Sequence, residues 1–330
     1  MTKKIQWGVL GAATIAVEQV IPAMLQSEYC AVRAIASRNI EKGREVAKSF
    51  KIPHVYGSYQ DLLGDNEIQA VYIPLPNHLH VEWAINALRA GKHVLVEKPV
   101  AMNSKEAQEL LVEANKHPEL KVMEAYMYKF HPQWVKAKQM IQDGEIGHLE
   151  TIQASFSFFD ADPNSIVNNK VFGGGSLMDI GCYPVSISRF LFDAEPKRIV
   201  SNLEYHLEFG VDVHASAILE FDEGRCVFFS SIQLFEDQQV KLFGTTGSIA
   251  FDMPFNPQPG KQVKIWLVKE NTKNEMVFEP CNQYGLQADI FSKAILEGME
   301  LPVSLEDAVK NMAVIDAIKE SDLLGRSIAL

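Results

Sequence analysis

The chain has 330 residues, of which 47% are hydrophobic and 22% are charged, and its formal net charge at pH 7 is −11. This length predicts two domains, and the composition is typical of a soluble globular protein. The negative charge argues against non-specific nucleic-acid binding, which needs clustered Lys and Arg side chains. No apolar run approaches the ~18 residues of a membrane span, so we expect no membrane association.

The cysteines and the first residues indicate a cytoplasmic protein. Four cysteines lie far apart and without the spacing of a metal site, so we expect no bound metal and free buried thiols: Cys30, Cys182, Cys226 and Cys281. The opening Met-Thr-Lys-Lys-Ile-Gln-Trp leads straight into a predicted strand and does not resemble a signal peptide. We therefore expect cytoplasmic localisation.

Residues 1–125 alternate between predicted strands and predicted helices. The strands are expected at 5–10, 31–36, 70–73, 94–96 and 122–125. The helices are expected at 17–27, 40–50, 59–63, 80–90 and 104–116. Such alternation implies a parallel, doubly wound α/β sheet, that is, a Rossmann domain.

The turn after the first strand follows the dinucleotide-binding pattern in relaxed form, Gly11-x-Ala13-x-x-Ala16. Gly11 permits the tight turn, Ala13 lets the backbone approach a pyrophosphate, and Ala16 allows close packing of helix on strand. The amides of the following helix start are donors for phosphate, so Thr14 and Ile15 join the predicted cofactor site. The motif alone also fits a simple small-residue turn, but its place in the first βαβ unit favours a nucleotide.

The residues after the second predicted strand indicate which nicotinamide cofactor binds. NAD sites usually carry a carboxylate here for the ribose 2′-hydroxyl, whereas this chain has Ser37 and Arg38. A hydroxyl and a guanidinium suit a 2′-phosphate, which a carboxylate would repel. We predict NADP, with NAD possible; the alternative is that Arg38 is an ordinary exposed charge.

Two more segments follow predicted strands at the same ligand-facing edge of the sheet. Pro74, Asn77 and His80 come after the third strand and are predicted to face the cofactor; for Asn77 and His80, helix capping and surface polarity are equal alternatives. Glu97 and Lys98 follow the buried fourth strand with no turn between. Charges at the end of a buried strand are costly unless that end opens into a cleft. The strand therefore delivers a lysine to a predicted binding crevice.

Taken in order, these motifs resemble the glucose-fructose oxidoreductase / inositol dehydrogenase / MocA (Gfo/Idh/MocA) family, over essentially the whole chain. The resemblance rests on the relaxed glycine turn, the Pro-Asn-His loop, Glu97-Lys98-Pro99 and one further run: Gly173-Gly174-Gly175-Ser176-Leu177-Met178-Asp179-Ile180-Gly181-Cys182-Tyr183. The segments 123–126 and 130–132 are most similar to the branch of dimeric dihydrodiol dehydrogenase and NADP-dependent D-xylose dehydrogenase.

The resemblance implies a second domain over residues 126–330, an α/β domain built on an open, mostly antiparallel sheet. The outer face of that sheet commonly forms the oligomer contact in the family, which implies a homodimer or homotetramer. The chain is compatible, with predicted strands at 149–158, 198–207, 213–221, 225–233, 238–243, 248–252 and 263–268. Helices are expected at 286–297 and 304–324, the second with Ser304 as its N-cap.

The resemblance also implies hydride transfer between the nicotinamide and a carbinol or carbonyl carbon of a sugar, polyol or vicinal diol, in either direction. Such transfer needs a group that gives or takes the hydroxyl proton. Tyr183 stands where the family pattern often has histidine. A tyrosine has a pKa near ~10 unless a cation lowers it, and Lys98 is the predicted cation. Asp179 is predicted to bind substrate hydroxyls, and Glu97 the nicotinamide ribose.

Each of these residues has a plainer interpretation. Tyr183 suits an aromatic core position, Asp179 a helix start, and Lys98 an ion pair with Glu97. The predicted substrate-binding residues are Tyr126, Asn168, Asn169 and Asp179.

Two other functions stay open for this fold. The first is a non-catalytic, NADP-binding regulatory protein, against which the intact Lys98, Asp179 and Tyr183 argue. The second is a nicotinamide-dependent glycosidase, which Tyr183 and the predicted NADP preference disfavour.

Overall fold

The computed structural model describes residues 3–330, and the chain divides into two compact units. The first combines Met1–Met127 with Asn282–Val309, and the second combines Tyr128–Cys281 with Lys310–Leu330. The sequence predicted contiguous domains divided at residue 125, and the return of 282–309 to the first unit corrects that division. A contact distant in sequence explains it: Trp7 packs 5.5 Å from Phe291 and its Nε1 donates to Ser292 Oγ at 3.1 Å.

The first unit contains a six-stranded sheet in the order β3-β2-β1-β4-β5-β6, with every neighbouring pair parallel. Its strands are β1 Ile5–Leu10, β2 Cys30–Ala36, β3 His54–Tyr56, β4 Ala70–Ile73, β5 His93–Glu97 and β6 Val122–Ala125. This order confirms the predicted doubly wound Rossmann sheet. The edge strand β3 was not predicted, because three residues are too few to show a pattern.

The described chain contains α-helices of five to twenty residues. They are α1 Ile21–Leu25, α2 Ile40–Phe50, α3 Tyr59–Leu63, α4 His80–Arg89, α5 Ser104–Ala114, α6 Pro132–Gln142, α7 Cys182–Phe192, α8 Gln283–Glu297 and α9 Leu305–Leu324. The first predicted helix, 17–27, is instead a π-helical turn, Ala16–Val20, followed by α1. Pro22 lacks the N–H that would bond the Glu18 carbonyl, so regular α-helical bonding cannot run through this point.

The second unit contains a nine-stranded sheet in the order β14-β13-β12-β11-β7-β10-β9-β8-β15. Its strands are β7 Leu149–Phe159, β8 Arg198–Tyr205, β9 Asp212–Glu220, β10 Arg225–Ser231, β11 Gln233–Gly244, β12 Ser248–Phe251, β13 Val263–Lys269, β14 Thr272–Phe278 and β15 Ile328–Ala329. The central pair β7 and β10 is parallel and the other pairs are antiparallel. The predicted open, mostly antiparallel sheet is confirmed.

The two faces of this sheet differ in cover. Helix α7 packs on β7 and β10 on one face. On the other face, apolar side chains remain 38–42% exposed along a shallow depression: Val200, Ile218, Val227 and Phe229. Exposed apolar clusters of this kind mark interaction surfaces.

Across residues 3–330, no helix combines the length and the hydropathy needed to cross a membrane.

Candidate active site

The glycine turn at the end of β1 keeps its backbone accessible for a ligand. Gly11 has φ +115°, a conformation that L side chains rarely adopt, and its amide donates to the Ala36 carbonyl at 2.8 Å. A Cβ at this position would lie 3.0 Å from Leu75 Cδ2. The helical segment begins at Thr14, which is exposed. The turn thus pairs a side-chain-free approach with a helix start, as a pyrophosphate requires.

The end of β2 places a cation beside this turn. Ser37 is buried and Arg38 is exposed. Burial raises the pKa of the Tyr59 hydroxyl, and the nearby Arg38 guanidinium opposes this rise. The Tyr59 hydroxyl lies 3.9 Å from where a Cβ on Gly11 would stand, and its ring packs edge-on against Trp83 at 4.8 Å. Tyr59 therefore links the glycine turn to Arg38, a role that no sequence motif indicated.

His80 does not occupy the predicted cofactor-facing position. It is fully buried, with Nε2 2.6 Å from the Leu75 carbonyl and Nδ1 2.8 Å from the Pro99 carbonyl. Burial lowers the pKa of His80 to about 4, so near neutral pH the ring carries one N–H and donates to one of these carbonyls. His80 was predicted to contact the cofactor directly. Its ring instead connects the loop before α4 to the loop after β5.

The remaining predicted residues of that loop differ in exposure. Pro74 is buried directly after β4, and Asn77 is half-buried in a 3₁₀ turn. Asn77 does not cap α4, because the N-cap residue is Leu79 and no side chain bonds the helix start there. The capping alternative for Asn77 is therefore wrong.

The end of β5 carries a fixed carboxylate next to a lysine. Tyr72 Oη donates to Glu97 Oε1 at 2.6 Å, and the Lys98 amide lies 3.3 Å from Glu97 Oε2. One strand further, Glu124 Oε1 accepts the Val100 amide at 2.8 Å. Both carboxylates are thus held by neighbours within the Rossmann unit, and Lys98 is half-buried at the carboxyl edge of the sheet.

In the second unit, hydrogen bonds from Gly175, Ser176 and Leu177 hold the glycine run against neighbouring segments. The Gly175 amide donates to the Val167 carbonyl at 2.8 Å, and Ser176 Oγ donates to Ser230 Oγ at 2.7 Å. The Leu177 amide donates to Asp212 Oδ2 at 2.6 Å. A π-helical turn, Leu177–Gly181, then leads directly into α7.

This helical segment carries two of the three residues that the sequence predicted for chemistry, Asp179 and Tyr183. Asp179 lies half-buried in the π-helical turn, and Tyr183 is the second residue of α7. The Tyr183 ring is 5% exposed and packs 5.0 Å from Phe255, 5.6 Å from Phe156 and 6.1 Å from Tyr128. Aromatic neighbours on several sides hold the ring in one orientation.

The other predicted substrate-binding residues are engaged elsewhere. Asn168 is buried, and its Nδ2 contacts Asp160 Oδ1 at 3.2 Å and the Asp162 carbonyl at 2.9 Å. Asn169 Oδ1 accepts the Val171 amide at 2.9 Å. Both side-chain amides therefore bond within their own loop. These bonds argue against the predicted substrate contacts of Asn168 and Asn169. Tyr126 is 1% exposed directly after β6.

Family models match both parts of the chain. A model described as an oxidoreductase family with an NAD-binding Rossmann fold matches residues 5–126, and the GFO/IDH/MocA C-terminal domain model matches residues 134–250. The chain belongs to the Gfo/Idh/MocA oxidoreductase family. The predicted resemblance is thereby confirmed, and this Gfo/Idh/MocA protein is an NAD(P)-dependent oxidoreductase.

Two curated relatives lie in the predicted branch of the Gfo/Idh/MocA family. D-xylose 1-dehydrogenase (NADP(+)) 2 of Haloferax volcanii is 35% identical over 98% of this chain and 99% of the relative. Trans-1,2-dihydrobenzene-1,2-diol dehydrogenase of Xenopus tropicalis is 31% identical over 94% of this chain and 96% of the relative.

Among solved structures, KijD10, a 3-ketoreductase from Actinomadura kijaniata in complex with NADP and TDP-benzene, superposes with a TM-score of 0.91. It is 28% identical and covers 97% of this chain and 98% of its own. Structures of this reductase also include a lysine-to-alanine and a tyrosine-to-phenylalanine variant. With the NADP-dependent xylose dehydrogenase, these complexes confirm NADP as the predicted cofactor of this Gfo/Idh/MocA protein.

Proposed function

We propose that this protein is an NADP-dependent oxidoreductase that moves a hydride between the nicotinamide and a carbinol or carbonyl carbon of a sugar, polyol or vicinal diol. Its activity is then of the D-xylose 1-dehydrogenase or trans-dihydrodiol dehydrogenase type. The observation that carries the proposal is Lys98 beside a fixed Glu97 carboxylate at the carboxyl end of β5, where open α/β sheets bind ligands.

The Rossmann unit holds the cofactor in this proposal. The backbone amides of Gly11, Ala13, Thr14 and Ile15 donate to the pyrophosphate at the helix start. The Arg38 guanidinium, which interacts with the Tyr59 hydroxyl, binds the 2′-phosphate. When bound, NADP supplies the hydride acceptor or donor. Glu97, fixed by Tyr72, accepts hydrogen bonds from the nicotinamide ribose hydroxyls.

Tyr183, assisted by Lys98, transfers the proton of the substrate hydroxyl in this proposal. In the oxidation direction, the Tyr183 phenolate takes the substrate hydroxyl proton as the hydride leaves the carbon. In reduction, the Tyr183 phenol returns that proton to the carbonyl oxygen. The Lys98 ammonium favours the phenolate and donates to the same substrate oxygen. Asp179 accepts a hydrogen bond from a neighbouring substrate hydroxyl, which favours polyhydroxylated substrates.

Turnover tests this proposal. Purified protein is assayed by NADPH absorbance with NADP plus D-xylose, other aldoses and a trans-dihydrodiol, and with NADPH plus keto sugars, including nucleotide-linked ones. We expect oxidation or reduction of at least one of these classes. Tight NADP binding without turnover of any of them would favour the regulatory alternative. Cofactor that co-purifies, together with cleavage of a glycoside, would favour the glycosidase alternative.

Cofactor preference gives a sharper test of the Arg38 assignment. We expect Arg38→Gln to weaken NADPH binding roughly 10- to 100-fold, since charge-assisted bonds to phosphate are worth about 1.5–3 kcal/mol. NADH binding should change less than about 3-fold because NADH lacks the 2′-phosphate. Fluorescence titration of cofactor-free protein measures both. Arg44→Gln is the matched control, because Arg44 pairs only with Glu41 on the exposed side of α2 among the contacts seen in residues 3–330. Equal loss for both nucleotides would contradict the assignment.

We propose further that a second copy of the chain covers the open face of the nine-stranded sheet, giving a homodimer or a homotetramer. Support comes from the exposed apolar side chains of adjacent strands β8, β9 and β10, a surface of the kind that dimer interfaces use.

Light scattering after size exclusion tests this oligomer. We expect Phe229→Glu to reduce the molar mass of the assembly to that of a smaller species, because a buried carboxylate would have no partner at the centre of the interface. Leu323→Glu is the control, since Leu323 is 81% exposed on α9. A monomeric wild-type protein, or an unchanged mass for Phe229→Glu, would refute the placement.

A further inference from the structure

A buried carboxylate that the proposed chemistry does not use lies behind the glycine run. Asp212 is the first residue of β9 and is 6% exposed. Its Oδ2 accepts the Leu177 amide at 2.6 Å, at the start of the π-helical turn. Its Oδ1 lies 2.3 Å from where a Cβ on Gly175 would stand, and Gly175 has φ +111°. A glycine is therefore needed at this point for the chain to approach the carboxylate so closely.

The helical segment that starts at Leu177 continues without a break to Phe192, because the π-helical turn runs into α7. Its first turns carry Asp179 and Tyr183. A carboxylate at a helix start accepts a hydrogen bond from an amide that would otherwise lack a partner. Its negative charge also interacts favourably with the positive end of the helix dipole. No side chain of the segment itself caps it, since neither Ser176 nor Gly181 makes a cap hydrogen bond. Asp212 thus supplies from another strand the cap that the local sequence lacks.

Three charged or titratable groups face Asp212 from the elements around it. Lys319 of α9 favours its ionised form, whereas Asp322 of α9 disfavours it. Tyr205 of β8 interacts with both carboxylates, and burial raises the pKa of this phenol to about 12. Lys319 also lies 3.3 Å from the sulfur of Met178, within the capped segment. Burial, the largest influence, raises the pKa of Asp212 to about 7, so its charge changes in the range where enzymes are assayed.

We propose that Asp212 is a positioning residue of the reaction, which fixes through the Leu177 amide the helix start that carries Asp179 and Tyr183. The ionised carboxylate makes the stronger, charge-assisted bond to that amide. Protonation of Asp212 weakens the bond and loosens the segment. This inference rests on the proposed roles of Asp179 and Tyr183 in the chemistry.

Three variants of the full-length protein test the proposal by steady-state kinetics between pH 5.5 and 9. Asp212→Ala removes the acceptor, Asp212→Asn keeps an oxygen at the same place without its charge, and Asp322→Asn is the matched control. The control removes a neighbouring carboxylate that accepts the Leu203 amide at 2.8 Å and does not contact the glycine run. Hydrogen exchange of the peptide spanning residues 174–183 is measured for all proteins.

For Asp212→Ala we expect kcat to fall roughly 10- to 100-fold, the scale of loss when a reacting group moves by ~1 Å. The KM for NADPH should stay within about 2-fold, and the 174–183 peptide should exchange faster. Asp212→Asn keeps an acceptor oxygen but cannot ionise. Its kcat should exceed that of Asp212→Ala, should stay near the level of the protonated wild type at pH 5.5, and should lack the inflection near pH 7 that the wild type shows. Asp322→Asn should match the wild type in exchange of this peptide and in kcat above pH 8. Its kcat inflection should move to lower pH, because Asp322 disfavours the ionised form of Asp212.

The outcomes separate this inference from the proposed function. A wild-type protein that turns over none of the substrates refutes the proposed function; unchanged exchange in Asp212→Ala then refutes the anchor as well. Faster exchange with wild-type kcat and an unchanged pH profile would show that Asp212 is only structural, which overturns the proposal. Equal losses in kcat and NADPH binding would indicate general misfolding and would also overturn it.

Discussion

Replacing Tyr183 by Phe is expected to lower kcat by roughly 10²- to 10⁴-fold, the usual contribution of a general acid or base. The change removes one hydroxyl and leaves the ring among Phe156, Phe255 and Tyr128. Folding and cofactor affinity should therefore stay close to wild type. NADPH titration and thermal unfolding report these two properties on the same preparation.

Lys98→Met gives the companion measurement, because the proposal assigns both groups to one substrate oxygen. We expect the double variant Lys98→Met with Tyr183→Phe to be little worse than the poorer single variant, since groups that act as a unit are not additive. Tyr56→Phe is a suitable control, because it removes a hydroxyl bonded to Asp65 Oδ2 at 3.0 Å, outside the proposed machinery. Full additivity, or near-wild-type kcat in either single variant, would contradict the shared role.

Asp212→Asn is expected to change how stability depends on pH. The pKa of Asp212 is raised from 3.8 to about 7 in the folded protein. A raised pKa means that the folded state favours the protonated form. This contribution to stability is therefore complete below about pH 4 and is lost as the pH rises through about 7. The size of the loss is about 4 kcal/mol by linkage. Asparagine stays neutral at every pH. The free energy of unfolding of the variant, relative to that of the wild type, should therefore rise by about 4 kcal/mol between pH 4 and pH 8.

Urea unfolding at pH 4.5, 6 and 8 measures the difference in the free energy of unfolding between variant and wild type. Asp322→Asn again serves as control, since Asp322 lies in the same cluster but is half-buried rather than buried. If the unfolding free energies of wild type and Asp212→Asn run parallel across this range, Asp212 does not titrate between pH 4 and pH 8.

Local patterns sufficed for most elements of the Rossmann unit. Five of its six strands were predicted within one residue at both ends, because buried parallel strands are short apolar runs bounded by turns. The glycine turn and the lysine after β5 also followed from local sequence, since the carboxyl edge of such a sheet is determined by chain direction. The first helix was mispredicted because periodicity does not register the missing N–H of Pro22.

The weaker predictions concern side chains whose partners are distant in sequence. His80 was expected to face the cofactor, yet it bridges the carbonyls of Leu75 and Pro99 inside the unit. Asn168 and Asn169 were expected to line a pocket, yet both amides serve the loop that contains them. A polar residue after a strand or before a glycine run has the same sequence signature in either role, because orientation depends on neighbours that periodicity does not specify.

By itself, the sequence determined the fold class, the family, the NADP-type strand end at Ser37 and Arg38, and the candidates Lys98, Asp179 and Tyr183. These features depend on chain direction, residue type and short-range spacing, all of which are local. Only the tertiary structure revealed the link from Tyr59 to Arg38, the return of 282–309 to the first unit and the Asp212 anchor under Leu177. These contacts join residues 21 or more positions apart, and their energies come from burial and hydrogen bonds that exist only after the chain has folded.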